Sequence, residues 1–189
     1  CGNPRDYYLL ASDTGYGFIT QLAEMISKNK AGKQILSLST GADVLAPVRV
    51  SDLSTNKILV ITSSGHLLIF AAKDLPILAK GKGNKMIGIP PAHLKERTEL
   101  VNGLAILPAG ATAVLHCGAR HLSLKPADLA LYEGERGRRG RLLPRGLQRV
   151  DRIEIVAQPG VTAEDPAEET AEGAAASRGR LACCRLALH

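Results

Sequence analysis

One pattern recurs three times along the chain at a spacing of about 50 residues, and it constrains the fold more than any other feature. Each copy begins with two short apolar segments divided by a glycine, which is Gly15, Gly65 or Gly118. An acidic residue follows nine or ten residues later, at Glu24, Asp74 or Asp128. A repeat of this length predicts similar units that stack on one another and share a continuous core.

Each unit also carries a short segment rich in Lys, Arg and Gly. We name these segments the first, second and third basic loops, at residues 28–33, 80–85 and 136–141. Lys and Arg neutralise phosphate groups, and glycine lets backbone amides approach a phosphate closely. One such loop is common on protein surfaces. Three at matching places in a repeat favour a surface that follows a nucleic-acid backbone along one outer edge.

The apolar segments predict three β-hairpins, because they are rich in aliphatic, Tyr and Thr residues and are joined by x-Gly turns. The hairpin strands are expected at residues 7–12 with 17–21, 57–62 with 66–71, and 112–117 with 120–124. Further strands are expected after the basic loops, at 34–38, 86–89 and 141–143, and at 44–50, 100–107 and 150–156. Short helical turns are expected at 21–27 and 92–102. We therefore predict an all-β fold of propeller-like blades, with about three four-stranded units at residues 7–56, 57–111 and 112–157.

Charge is distributed unevenly along the chain. Residues 1–157 contain 21 Lys and Arg against 13 Asp and Glu, and this surplus favours a polyanionic partner. From residue 158 onward Ala, Glu, Asp and Thr dominate without an apolar period, which predicts an acidic, disordered tail at 158–189.

No apolar run approaches the roughly 18 residues of a membrane-spanning helix. The start at Cys1 indicates a piece of a longer protein.

The sequence contains no recognisable catalytic constellation. It lacks a nucleophile elbow, a Walker loop, a metal-ligand cluster and paired carboxylates. None of the four cysteines forms a C-x-x-C pair, so we expect a reduced protein without zinc or a structural disulfide, and Cys117 as a turn residue. Two Phe, four Tyr and no Trp offer few platforms on which single strands could stack, so a duplex partner is favoured. No catalytic residue, metal or cofactor is expected in this chain.

Three stretches resemble the C-terminal domain of the A subunit of bacterial DNA topoisomerase IV, also called ParC. They are residues 12–18 (SDTGYGF), residues 74–85, and residues 134–152, which contain the third basic loop and the run RGLQRVDR. The resemblance covers roughly residues 5–157. It implies a β-pinwheel, a propeller-like ring whose outer rim holds and bends duplex DNA, with the units counted here forming part of a larger broken ring. The related gyrase box, Q-R-R-G-G-K-G, is matched poorly by residues 135–141, which begin with Glu and have displaced glycines.

The resemblance also implies a biological setting. The parent protein would be an ATP-dependent type II topoisomerase of the bacterial cytoplasm that relaxes and decatenates DNA and supports chromosome segregation. Its DNA-cleaving Tyr would lie outside this chain. A second copy of the parent protein and the ATPase, or B, subunit would be its partners, and the parent enzyme would use Mg²⁺ and ATP. The alternative is a propeller that contacts other proteins and binds no nucleic acid, although kelch-type repeats carry a Trp in each blade and this chain has none.

The residues expected to contact DNA are cations of the basic loops and of the segments beside them. They are Lys28, Lys30, Lys33, Lys80, Lys82, Lys85, Arg120, Arg136, Arg138, Arg139, Arg141, Arg145 and Arg149. Because Arg can form two parallel hydrogen bonds to a phosphate, we expect the third basic loop to contribute most. Glu133 and Glu135 are expected to oppose it by pairing with its arginines. Loss of these loop charges is expected to leave the fold intact.

Overall fold

The computed structural model describes residues 3–27 and 33–156. Within these residues the chain is mostly β-structure, with three short helices and two 3₁₀ turns at Ala72–Asp74 and Ala130–Tyr132. The strands are β1 (Tyr7–Ala11), β2 (Tyr16–Gln21), β3 (Val48–Val50), β4 (Lys57–Thr62), β5 (His66–Ala71), β6 (Asn84–Lys85), β7 (Val101–Leu107), β8 (Thr112–Cys117), β9 (Arg120–Leu124), β10 (Arg141–Leu142) and β11 (Arg152–Val156). The helices are α1 (Leu22–Met25), α2 (Pro91–Lys95) and α3 (Pro126–Leu129).

The strands form three antiparallel sheets, each built on one of the expected hairpins. Sheet 1 has the order β3-β1-β2-β6, sheet 2 the order β10-β5-β4-β7, and sheet 3 the order β11-β8-β9. The hairpin glycines Gly15, Gly65 and Gly118 all have positive φ, as the x-Gly turns require. The all-β fold class and the three hairpins are therefore confirmed.

The strands that follow the basic loops differ from the expectation in place and in pairing. The second loop ends in β6, at residues 84–85 and not 86–89, and β6 pairs with β2 of the preceding hairpin. Likewise β10 pairs with β5. Residues 34–38 form no strand and contribute an isolated bridge between Leu36 and Gly81. Each of these short segments therefore contacts a neighbouring unit, so the sheets are not built from contiguous stretches of chain.

Sheet 2 is buried on both faces, which explains its continuous apolar strands. Along β4, Ile58 and Val60 face a core shared with sheet 1, while Leu59 and Ile61 face a core shared with sheet 3. Side chains alternate across a strand, so only an uninterrupted run of apolar residues can fill both cores. These four side chains are completely buried, and each burial stabilises the fold by about 2 kcal/mol.

The helices are short and lie at the corners of the sheets. α1 begins directly after β2, in the region where a helical turn is expected. α2 is shorter than the expected helix at residues 92–102, because the chain turns at Arg97 and enters β7 at Val101. α3 carries a capping arrangement in which the Lys125 amide donates to the Asp128 carboxylate, 3.4 Å away. Within the described residues, every helix is too short to cross a membrane.

Candidate nucleic-acid interface

The second and third basic loops occupy equivalent positions in the backbone. Directly after the second loop, the Met86 amide donates to the Gly15 carbonyl over 2.7 Å. After the third loop, the Leu143 amide donates to the Gly65 carbonyl over 2.9 Å. Gly15 and Gly65 are the turn glycines of successive hairpins. Each loop is therefore fastened to the hairpin of the preceding unit.

A glycine in each loop is required where the loop crosses the hairpin. Gly83 and Gly140 have φ angles of 78° and 79°, in the left-handed region. A Cβ atom on Gly83 would collide with the Gly17 carbonyl, and one on Gly140 would lie 2.5 Å from the Leu67 carbonyl oxygen. Only glycine fits at such a crossing. These two glycines thus bring two backbone segments together, a role that the sequence analysis did not identify.

Backbone hydrogen bonds connect the segments of the three loops in a row. The Gly88 amide donates to the Arg138 carbonyl (2.7 Å), and the Gly137 amide donates to the Met86 carbonyl (2.9 Å). These bonds connect the third loop to the segment after the second. The Gly81 carbonyl and amide bond in the same way to residues 35–37, each over 2.8 Å. The second loop is thereby connected to the segment after the first.

The first basic loop is described only at its end. Lys28 and Lys30 lie outside the described residues. The Lys33 Nζ is 3.4 Å from a carboxylate oxygen of Glu24 and 3.2 Å from its carbonyl oxygen. Glu24 is the acidic residue that follows the first hairpin, and here it pairs with a cation of the first basic loop. Asp128, its counterpart in the third unit, instead caps a helix.

The second basic loop presents its lysines to solvent. Lys80 and Lys82 are exposed and Lys85 is half-buried. Within the described residues none of the three forms an ion pair. The Lys82 Nζ lies 4.1 Å from the ring centroid of Tyr16, which is a cation–π contact on the surface. This loop therefore keeps its positive charge available to an external anion.

The third basic loop holds most of its arginines in contacts with the protein. Arg138 donates through Nε and Nη2 to one oxygen of Glu135, over 3.0 and 2.8 Å. The Arg136 Nη1 donates to the Lys85 carbonyl over 3.0 Å, while Arg141 is exposed and forms no ion pair in the described structure. The expected pairing of Glu135 is present. Glu133, by contrast, pairs with Lys57 of β4.

The remaining arginine of the third loop, Arg139, reaches a buried carboxylate. Glu99 is 0% exposed, and its Oε2 accepts a hydrogen bond from the Arg139 Nη2 over 2.8 Å. The same oxygen is 3.1 Å from the His93 Nδ1, and the other oxygen accepts from the Thr62 hydroxyl over 3.0 Å. The Arg139 Nε donates to the His66 Nε2 over 3.1 Å. We name these five residues the Glu99 cluster.

The Glu99 cluster makes Arg139 part of the fold. A buried carboxylate is tolerated only when it is paired and hydrogen-bonded. Removing the Arg139 guanidinium would leave the buried charge of Glu99 without the one partner that is positively charged at every pH of interest. The expectation that loss of the third-loop charges leaves the fold intact rests on exposed side chains, and Arg139 does not meet that condition. It treated Arg139 as an exposed loop cation, whereas the side chain is anchored against sheet 2.

The pKa values of Glu99 and His66 are both shifted downward. Burial opposes ionisation of Glu99, but hydrogen bonds from His93 and Thr62 and the charge of Arg139 outweigh it and hold its pKa below the ordinary value. Burial and the charge of Arg139 lower the pKa of His66. A neutral His66 is also what its geometry requires, because its Nε2 accepts a hydrogen bond from Arg139.

The other expected DNA-contacting arginines gather near the turn of the third hairpin. Arg120, Arg145 and Arg149 are exposed. The Arg120 guanidinium lies against Gly146, 3.2 Å from where a Cβ would stand. Arg149 lines a cavity of about 550 Å³ beside Gly118. These three exposed cations lie outside the three basic loops.

Two features of the candidate interface have no signal in the sequence. Glu99 collects partners from four separate segments of chain, so neither spacing nor periodicity indicates it. Lys95 and Arg97 lie beside the second loop in space, although α2 carries no basic cluster. Among the described residues there is also no group of His, Cys, Asp and Glu that could hold a metal ion.

Comparison with known proteins gives a consistent result. No family model matches the chain. The A subunit of DNA topoisomerase 4 from Pseudomonas aeruginosa is 51% identical over 80% of this chain, and its counterpart from Escherichia coli is 45% identical over 78%. The chain spans about a fifth of the length of these relatives, covering 20% and 19% of them.

Solved structures with the same fold include the E. coli ParC C-terminal domain and the DNA gyrase A C-terminal domain. The first has a TM-score of 0.77 and 42% identity, covering 83% of this chain and 63% of that one. The second has a TM-score of 0.57 and 18% identity, covering 77% and 46%, and it supports the fold alone. The chain has the β-pinwheel fold of these domains and belongs to the family of C-terminal domains of the topoisomerase IV A subunit.

Proposed function

We propose that this chain binds the backbone of duplex DNA without preference for base sequence, and bends it. The observation that carries the proposal is the repeated placement of basic loops. The second and third loops cross successive hairpins in the same way and are hydrogen-bonded in one row. Cations presented at regular intervals along an edge suit a ligand whose charges also recur regularly, as phosphates do along a duplex.

The available side chains favour contact with phosphates over contact with bases. Lys80, Lys82 and Arg141 are exposed at the edge. Such contacts position a duplex but carry no sequence information. A row of such cations would favour a bent path, because bending brings more phosphates within reach of the protein. The scarcity of aromatic residues argues against single-stranded DNA as the main ligand.

We further propose that the chain is a non-catalytic module of a type II topoisomerase. Its relatives bear the name of the DNA topoisomerase 4 A subunit, and it corresponds to about a fifth of their length. The proposal places the DNA-cleaving Tyr, and the use of Mg²⁺ and ATP, in other parts of the parent enzyme. Relaxation and decatenation of DNA, the partner subunits and a site of action on the bacterial chromosome in the cytoplasm all belong to this proposal.

Salt-dependent binding tests the DNA-binding proposal. We expect a fluorescently labelled duplex of random sequence to bind, with an affinity that falls about 10³-fold between about 50 and 200 mM salt if roughly six phosphates are contacted. Duplexes of unrelated sequence should bind equally. Shortening of the end-to-end distance in a doubly labelled duplex would report the bend. An affinity that does not respond to salt, or that depends on one base sequence, would contradict the proposal.

A further inference from the structure

A cleft lies beside the second basic loop, between the first hairpin and α2. Its volume is about 330 Å³, which is ample for a phosphate group. We name it the α2 cleft. Its polar side chains belong to Thr14, Tyr16, Ser39, Thr40, Lys82, Lys95 and Arg97. Three cations and four residues with hydroxyl groups thus surround one open space, and no carboxylate among the described residues lines it.

Two carboxylates near the α2 cleft, those of Asp13 and Asp43, are already engaged by Arg97. Asp13 is buried, and one of its oxygens accepts a hydrogen bond from the Arg97 Nη2 over 2.8 Å. The same Nη2 donates to Asp43 over 3.1 Å. Lys95 is exposed and, like Lys82, forms no ion pair within the described residues. The cleft therefore keeps two uncompensated positive charges.

Arg97 holds the two walls of the cleft together. Through Asp13 and Asp43 it joins the turn after α2 to the first hairpin and to the turn at residues 39–43. Its φ of 53° makes it the one non-glycine residue in the left-handed region among those described. A backbone in this region is strained and is retained where surrounding contacts fix it, often at functional sites. The Arg97 Nε and Nη1 make no hydrogen bond in the described structure and remain available as donors.

We propose that the α2 cleft binds a phosphate of the DNA backbone, with Lys95 as its principal cation and the hydroxyl groups of Thr14, Ser39 and Thr40 as further donors. The inference rests on the proposed function and extends it to a site outside the basic loops. Lys82 belongs to both the second basic loop and the α2 cleft. A DNA strand that contacts the loop can therefore also reach the cleft along the protein surface. Phosphate binding combines charge with several converging donors, and the cleft offers both.

Substitution of Lys95 tests the proposal directly. In the full chain, Lys95→Ala should lower the affinity for random-sequence duplex about five-fold and reduce the slope of log affinity against log salt by about one. The matched control is Lys125→Ala, which removes an exposed lysine at the start of α3, away from the cleft. It should leave both quantities close to those of the wild type. The melting temperature should be unchanged in both variants, because neither lysine forms an ion pair in the described structure.

The outcomes separate this proposal from the proposed function. If the wild type binds DNA and Lys95→Ala binds with the same affinity and slope, the α2 cleft is not a DNA contact and the proposed function stands. If the wild type fails to bind duplex, both are overturned. A third arm titrates millimolar inorganic phosphate and follows the amide resonances of Thr14 and Thr40. Saturable shifts that are lost in Lys95→Ala, with unchanged DNA binding, would assign the cleft to free phosphate and overturn the DNA assignment.

Discussion

The second and third basic loops have the same backbone position, yet the surroundings of their cationic side chains differ. The residue before the crossing glycine is Lys82 in one loop and Arg139 in the other. Both side chains meet the ring of the first residue in the hairpin's second strand, which is Tyr16 or His66. Lys82 remains on the surface, whereas Arg139 continues inward to Glu99. Equal placement in a repeat therefore does not imply equal availability to a ligand.

One substitution within the repeat accounts for the difference. The Ser63 amide donates to the Leu100 carbonyl, and at the matching place in the first unit the Asp13 amide donates to the Asp43 carbonyl. By this correspondence, the position of Glu99 is taken in the first unit by Ala42. The first unit therefore has no carboxylate at the position of Glu99 that could attract the Lys82 side chain past the Tyr16 ring into the interior. The count of cations in a loop thus overestimates the charge that it offers to DNA.

The largest effect that would test the comparison concerns stability. Arg139→Ala should lower the free energy of unfolding by about 2 kcal/mol or more, because it leaves the buried Glu99 without its main cationic partner. The equivalent change in the second loop, Lys82→Ala, removes only a surface cation–π contact and should cost less than about 1 kcal/mol. Urea unfolding followed by circular dichroism measures both. Similar losses in the two variants would show that the loops do not differ in this respect.

The next effect concerns DNA affinity. Lys80→Ala combined with Lys85→Ala removes two cations without ion pairs, and it should lower the salt slope by about two and the affinity more than ten-fold. Arg141→Ala removes the one third-loop arginine whose side chain has no protein partner among those described, and it should lower the slope by about one. This order reverses the ranking that follows from counting arginines. An effect of Arg141→Ala as large as that of the double variant would restore the ranking by arginine count.

The three hairpins and the all-β class follow from local signals, because the apolar alternation and turn glycines lie within about a dozen residues. The pairing of β6 with β2 does not, since Lys85 meets Tyr16 across 69 positions in a strand of two residues. The Glu99 cluster is equally hidden. Its partners come from β4, β5, α2 and the third loop, and a lone Glu before a strand resembles any surface residue. The composition of the sequence reveals the basic loops. It does not reveal that most third-loop arginines are bound to other parts of the protein.

Acidification should destabilise the contact between Arg139 of the third basic loop and the rest of the Glu99 cluster. His66 and Glu99 both have pKa values below their ordinary ones, so the unfolded chain binds more protons than the folded chain. The free energy of unfolding should therefore decrease as the pH falls, first below the ordinary His value of 6.5 and then below the ordinary Glu value of 4.5. The second loop has Tyr16 at the position of His66 and lacks this dependence.

The pH effect is isolated by comparing the wild type with His66→Gln. Urea midpoints measured between about pH 7 and pH 5 should decrease less in the variant, because the group that takes up the proton is missing. The substitution removes the proton uptake of His66 itself and leaves every other ionisable residue in place. Parallel decreases in both proteins would mean that His66 does not carry the dependence.

The smallest effect concerns the exposed pair in the third loop. Glu135→Gln breaks the contact with Arg138, and since both side chains are about three-quarters exposed (77% and 74%), stability should change by less than about 0.5 kcal/mol. DNA affinity should rise about three-fold, because Arg138 becomes available to a phosphate. The control is Glu154→Gln on β11, which removes the same charge from an exposed pair with His116, outside the basic loops. If the two variants raise affinity equally, the gain reflects net charge alone. A gain confined to Glu135→Gln would show that Glu135 keeps Arg138 from contacting DNA, whereas the lysines of the second loop are free to do so.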